Sequence, residues 1–186
     1  MQLTNTQILP VRQADAWAAL NDAELLQQCI PGCDTMMLMG SGNYEIVIAA
    51  AIGPVRARFK GRLVMENMSP PDSYDLRFEG QGGAAGHGKG TAKVWLESAG
   101  DSETTLHYSV SATVGGKLAQ LGSRLVDMAA EKMAADFFAA FKAAVSRKFP
   151  SAAPTDATPR APTTVDPGAW GRFRAWLSSL FWKRHD

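Results

Sequence analysis

Few residues in this chain could do chemistry. Histidine occurs three times (His87, His107, His185) and cysteine twice (Cys29, Cys33). His87 and His107 stand singly on strand-like stretches, with no carboxylate or cysteine at ligand spacing, so no metal site is expected. The two thiols flank Pro31-Gly32 and cannot hold a structural zinc alone. They read as reduced thiols of a cytosolic protein. No Ser-His-Asp set and no acid–base pair can be assembled, so no catalytic residue is named.

The segment Gly80–Gly90 holds six glycines in eleven residues. It lacks the closing Gly-Lys-Ser/Thr of a phosphate loop, and Thr91-Ala-Lys-Val reads as a strand rather than a helix start. Its use is mechanical: glycines let a sheet bend and leave space beneath it. That space suits either a ligand cavity or curvature alone. Strand parity and helical spacing put Phe59, Leu63, Met65, Leu76, Phe78, Val94, Tyr108, Leu121, Leu125, Met128 and Phe137 around it. Core packing accounts for such residues, and so does an apolar ring or isoprenoid ligand.

The sharpest signal is terminal. Residues 168–182 carry three of the five tryptophans. Trp170, Phe173, Leu177, Leu180 and Phe181 fall on one helical stripe, widened by Trp176 and followed by Trp182. Arg172, Arg174, Lys183 and Arg184 are the charges. A helix docked on the protein's own body or on a partner is one reading. A helix lying in an anionic membrane surface is the other, with about 1 kcal/mol from each nearby cation. The expectation is an amphipathic membrane-binding helix over 168–186.

These groups need elements to position them. Residues 2–9 predict a strand, and Asp15 caps a short helix ending at Leu20. A second helix covers Ala23 to Cys29 and stops at Pro31-Gly32. Five strands follow, centred on residues 44–48, 55–65, 74–78, 92–96 and 106–114. In the second of these, Val55, Ala57, Phe59, Gly61, Leu63 and Met65 alternate with Arg56, Arg58, Lys60 and Arg62. That basic row reads as a solvated face paired with Asp75 and Glu79, or else as a dock for an acidic partner. Val114–Phe149 then predicts one long helix of roughly 45–50 Å. A curved antiparallel sheet gripping that helix buries both apolar faces, an α+β helix-grip architecture. Residues 1–149 form this domain. The five prolines of 150–167 mark an extended linker, and 168–186 the terminal helix.

Composition sets bounds. The chain has 186 residues, 46% hydrophobic, with net charge +1, which gives no case for nucleic acid. Of 19 basic and 18 acidic residues, five and three fall in 150–186, leaving 14 and 15 in the body. No basic-then-apolar leader and no run of 18 apolar residues is present.

Several segments together resemble the CoxG family, named for the G subunit of carbon monoxide dehydrogenase, in the START-like (SRPBCC) superfamily. They are Ala19-Leu-Asn-Asp22, Cys29-Ile-Pro-Gly-Cys33, Ile52-Gly-Pro-Val-Arg-Ala-Arg-Phe-Lys-Gly61, Gly80-Gln-Gly-Gly-Ala-Ala-Gly86, Lys89-Gly90 and Val114-Gly-Gly-Lys-Leu-Ala-Gln-Leu-Gly-Ser-Arg124. The match spans roughly residues 1–148. The resemblance implies a helix-grip fold and a non-catalytic accessory protein. Its partner would be a molybdenum-containing carbon monoxide dehydrogenase or related hydroxylase, held at the inner face of the cytoplasmic membrane. A respiratory quinone, menaquinone or ubiquinone, would occupy the cavity, with no metal. The alternatives are a ligand-free assembly module and an enzyme acting on a hydrophobic ligand.

Overall fold

A computed structural model describes residues 1–150. The predicted membrane-binding residues and the 150–167 linker from Ser151 onward lie outside them. Seven antiparallel strands form one sheet: β1 Gln2–Leu9, β2 Cys33–Gly40, β3 Asn43–Ile52, β4 Val55–Ser69, β5 Ser73–Gln81, β6 His87–Ser98 and β7 Thr104–Gly115. Their order across the sheet is β1-β7-β6-β5-β4-β3-β2. Every neighbouring pair except β1–β7 is also consecutive in sequence, so the sheet is a meander closed at one edge by the first strand. Four helices accompany it: α1 Gln13–Leu20, α2 Ala23–Cys29, α3 Lys117–Gln120 and α4 Ser123–Lys148.

Three expectations need correction. The single helix over Val114–Phe149 is two helices, because β7 continues through Gly115 and Gly122 interrupts the rest at φ +85°. Only glycine takes that backbone without strain. The remaining α4 is 26 residues long, about 39 Å. Asp15 does not cap α1. Arg12 holds the N-cap position, and its Nε donates to Asp15 in the first turn at 2.9 Å. Strand β2 has no counterpart among the expected strands. It is an edge strand with bulges at both ends, and Met37, Leu38 and Met39 are all exposed, so it has no apolar–polar alternation.

The closed end of the fold is densely packed. Phe141 and Val145 on α4, Leu9 on β1 and Leu106 on β7 are almost completely inaccessible. The Tyr108 ring stacks on Phe138 at 5.0 Å, and Phe137 on Phe141 at 5.5 Å. Thr104, also buried, donates its hydroxyl to the Val11 carbonyl at 2.7 Å. Asp22 is a junction. Its carboxylate caps α2 by accepting from the amides of Glu24 and Leu25, at 3.0 and 3.1 Å. It also pairs with Lys148 at the end of α4. That ammonium, and more weakly the two amides, hold the Asp22 pKa below the usual carboxylate value against a smaller desolvation effect.

Candidate functional site: the groove between sheet and helix

Sheet register settles which side chains face α4. Leu63 pairs with Tyr44 and Phe78, Phe78 with Gly90, and Gly90 with Ala112, so all share the inner face. Phe59, Leu63, Met65, Leu76, Phe78, Val94 and Tyr108 lie on it, as parity predicts. They divide into two groups. Met65, Val94 and Tyr108 are buried with Tyr74, Leu96 and Leu106, against the packed half of α4. Phe59, Leu63, Leu76 and Phe78 are half-exposed, as are Val55, Ala57 and Val114.

Helix α4 shows the same division. Its C-terminal half buries Phe138, Phe141, Ala144 and Val145, whereas its first four turns bury only Val126. Leu121, Leu125 and Phe137 are half-buried, and Met128 is 57% exposed. Val126 rather than Met128 is buried because Gly122 resets the helical phase, which a continuous helix would have kept. The space between sheet and helix is thus filled at one end and half-open and apolar at the other.

Glycines shape the open end. Gly80 pairs with Gly88 across β5 and β6 on the inner face. A Cβ at Gly80 would meet nothing nearer than the Lys60 carbonyl at 3.9 Å. One at Gly88 would meet Thr113 O and Val114 Cγ1 at 3.8 Å. Both are ordinary contacts, so the backbone leaves room there for a side chain the sequence does not supply. Gly90 differs, because the tip of the Phe78 ring and the Ala112 methyl already occupy its Cβ space, at 2.6 and 2.9 Å.

The loop between β5 and β6 makes a 3-10 turn at Gly83–Ala85 and folds over this end. Gly82 lies against the Phe59 ring, and Gly86 packs backbone to backbone on Gly115 and Gly116. Gly86 has φ +116° and Gly116 φ +71°. This contact shuts the loop onto the start of α3, whose Leu118 is buried. The β3–β4 turn closes the other side, with Leu125 of α4 over Gly53.

The titratable groups beside the groove are tyrosines. Burial pushes up the pKa of Tyr44, Tyr74 and Tyr108, with smaller upward effects of Asp22 on Tyr44 and of Tyr44 on Tyr74. At neutral pH they are neutral hydroxyls, able to hydrogen-bond but not to act as bases. Both strand histidines face the other way. His87 covers Gly115 on the outer face, and His107 stacks on Trp95 at 5.1 Å with Thr6 Oγ1 at 3.0 Å from its Nδ1. Burial raises the pKa of Cys29 and Cys33, leaving both as free, protonated thiols of low reactivity. Among the described residues no three His, Cys, Asp or Glu side chains gather as a metal site would need, and no helix is long and apolar enough to cross a membrane.

The outer basic row pairs differently from the expectation. Arg62 faces Glu45 and Glu79, and Arg58 pairs with Asp34 at 3.1 Å. Asp75 instead lies opposite Glu66 and Lys93 and accepts from Asn67 at 2.8 Å.

The family model for the G subunit of carbon monoxide dehydrogenase (CoxG) matches residues 8–146. The chain belongs to the CoxG family. A comparison with curated protein sequences gives no match. Among solved structures, this CoxG chain is similar to a conserved protein from Geobacillus kaustophilus at 27% identity and TM-score 0.75, covering 80% of this chain and 97% of that one. It is also similar to a START superfamily protein from Mycobacterium smegmatis (12% identity, TM-score 0.62, 79% and 98% covered). The Zhui aromatase/cyclase from Streptomyces sp. R1128 is a further neighbour (9% identity, TM-score 0.62, 82% and 97% covered). At such identities the last two speak for the fold alone, and the CoxG fold is the α+β helix-grip of the START superfamily.

Proposed function

We propose that this CoxG protein is an accessory subunit, not an enzyme. On this reading it carries an apolar ring-and-chain molecule in the half-open groove and brings a molybdenum-containing carbon monoxide dehydrogenase or related hydroxylase to the membrane. The observation that carries it is the pair of vacancies at Gly80 and Gly88, set among half-exposed apolar side chains. Exposed apolar surface that a small movement would bury is costly in a protein whose other end is tightly packed. A ligand that covers it removes that cost.

A respiratory quinone fits this lining. Flat rings match Phe59 and Phe78, and an isoprenoid tail matches Leu63, Leu121 and Leu125. Neutral tyrosine hydroxyls complement quinone carbonyls better than a charged group would. A bound menaquinone or ubiquinone would supply a two-electron, two-proton acceptor. The chain's own part is to bind, to exclude water and to deliver.

The partner is inferred from the family's description. The membrane role rests on the Trp- and Arg-rich stretch of residues 168–186, and the inner face of the cytoplasmic membrane is the surface it would meet.

Two measurements test this. Native mass spectrometry after incubation with menaquinone is expected to show one bound molecule, and absence of any adduct under conditions that load other quinone carriers refutes the carrier half. Co-sedimentation with phosphatidylglycerol vesicles is expected to pull down the full chain but not residues 1–150. Equal sedimentation of both refutes the anchor half.

A further inference from the structure

The face of the sheet opposite α4 carries a second feature, independent of any cargo. Two hollows of about 550 and 330 Å³ lie there and share Arg62 and Glu79. Together they form one trough running across the strands, from Met37 on the edge strand β2 to Thr113 on β7. No helix of the described residues covers it.

Six strands at about 4.8 Å spacing make the trough roughly 24 Å long, the span of about seven extended residues. Its walls carry Lys60, Arg62, Arg77 and Lys89 against Glu45 and Glu79. Among the described residues Lys60, Arg62 and Lys89 make no ion pair within 4.0 Å, whereas Arg77 is held by Glu66 at 3.1 Å. Lys60 lies opposite the neutral Val47 and Gln81. At the β2 end the trough opens onto exposed Met37, with Leu38 and Met39 beside it.

We propose that this trough docks an extended acidic segment of a partner protein, with an apolar side chain of that segment seated at Met37. Charge complementarity selects the occupant. The excess cations attract carboxylates, while Glu45 and Glu79 interrupt the row. A polyanion with an evenly spaced charge, such as a nucleic acid strand, would meet both glutamates head-on. A lipid surface is flat and cannot follow a trough. Methionines beside a charged rim match the composition of protein interfaces.

The test uses the full chain and a fluorescein-labelled peptide of alternating glutamate and leucine, read by anisotropy as salt is raised. Wild-type protein is expected to bind the peptide, with affinity falling as salt increases. Lys60→Glu/Lys89→Glu is expected to weaken binding by about tenfold or more and to flatten the salt dependence. Lys117→Glu/Lys132→Glu makes the same change in net charge elsewhere and is expected to alter binding less than about twofold. Circular dichroism confirms that both variants are folded. Equal weakening in the two variants, or no salt-dependent binding by wild-type, overturns the proposal. It is also overturned if binding to single-stranded DNA or phosphatidylglycerol vesicles collapses in the trough variant while peptide binding does not. The quinone and truncation experiments are unaffected by any of these outcomes, so the two readings fail separately.

Discussion

Replacing Gly88 by leucine separates an open groove from a packed one. The Cβ would sit 3.8 Å from its nearest neighbours, so the backbone has no reason to move. Removing a strand glycine recovers about 0.5–1 kcal/mol of unfolded-chain entropy. The four added carbons cover half-exposed neighbours, at about 0.8 kcal/mol for each group fully buried. Partial burial makes the variant about 1 kcal/mol more stable, a rise in Tm of about 2–4 °C for a domain of this size. The same carbons take space from a ligand, and quinone affinity should drop by at least tenfold, about 1.4 kcal/mol. Gly90→Leu is the contrast. Its Cβ would press on Phe78 and Ala112 at 2.6 and 2.9 Å, and a loss of about 1–3 kcal/mol is expected. Thermal denaturation and a menaquinone titration followed by tryptophan fluorescence read both. A fall in Tm for Gly88→Leu matching that of Gly90→Leu would mean the vacancy does not exist. A raised Tm with unchanged quinone affinity would mean the ligand sits elsewhere.

Asp22→Ala removes both the α2 cap, worth about 1 kcal/mol, and the Lys148 pair, worth up to about 1 kcal/mol at its exposure; urea unfolding should show their sum. Because the folded pKa of Asp22 is lowered, the pair's contribution is present above the unfolded carboxylate pKa and is lost as pH falls through the folded value. Asp22→Asn should therefore keep most of the cap yet show a shallower loss of stability below about pH 4, and identical acid profiles would contradict the assignment. Thr104→Val leaves the buried Val11 carbonyl without its 2.7 Å donor and should cost about 1–3 kcal/mol in chemical denaturation. Gly86→Ala, at φ +116° against the Gly115 backbone, should free the β5–β6 loop, seen as faster amide exchange at residues 82–88; unchanged exchange would show that the clasp is not tight.

Much of the fold was legible because strand parity and turn residues are local. The β4 alternation of apolar and basic residues and the Gly53-Pro54 turn, which joins paired Ile52 and Val55, needed only nearest neighbours. Edge strand β2 escaped because a strand exposed on both faces has no reason to alternate. The helix break escaped because Gly122 is a modest cost inside a helix and a decisive one only when the chain needs φ +85°, which depends on where Gly116 and Gly86 meet. The eleven predicted lining residues share the groove's two walls, but parity could not divide them into packed and half-exposed. That division depends on how far α4 tilts from the sheet, a property of the whole fold. The trough was invisible as a shape, although its basic row stood out in the sequence.

The pairing of the first strand with the last has a consequence for synthesis. Thr4 bonds to Ser109, 105 positions later, and the Met1 ammonium reaches the Ala112 carbonyl at 3.1 Å. At about 5–20 residues per second, a ribosome leaves β1 without its mate for roughly 5–20 s. The meander from β2 onward can zip up hairpin by hairpin as it emerges. The amino terminus must then wait and be captured last, together with the helix that seals the interior. Message truncated before codon 104 would therefore yield a sheet with a bare flank, a natural substrate for chaperones and proteases.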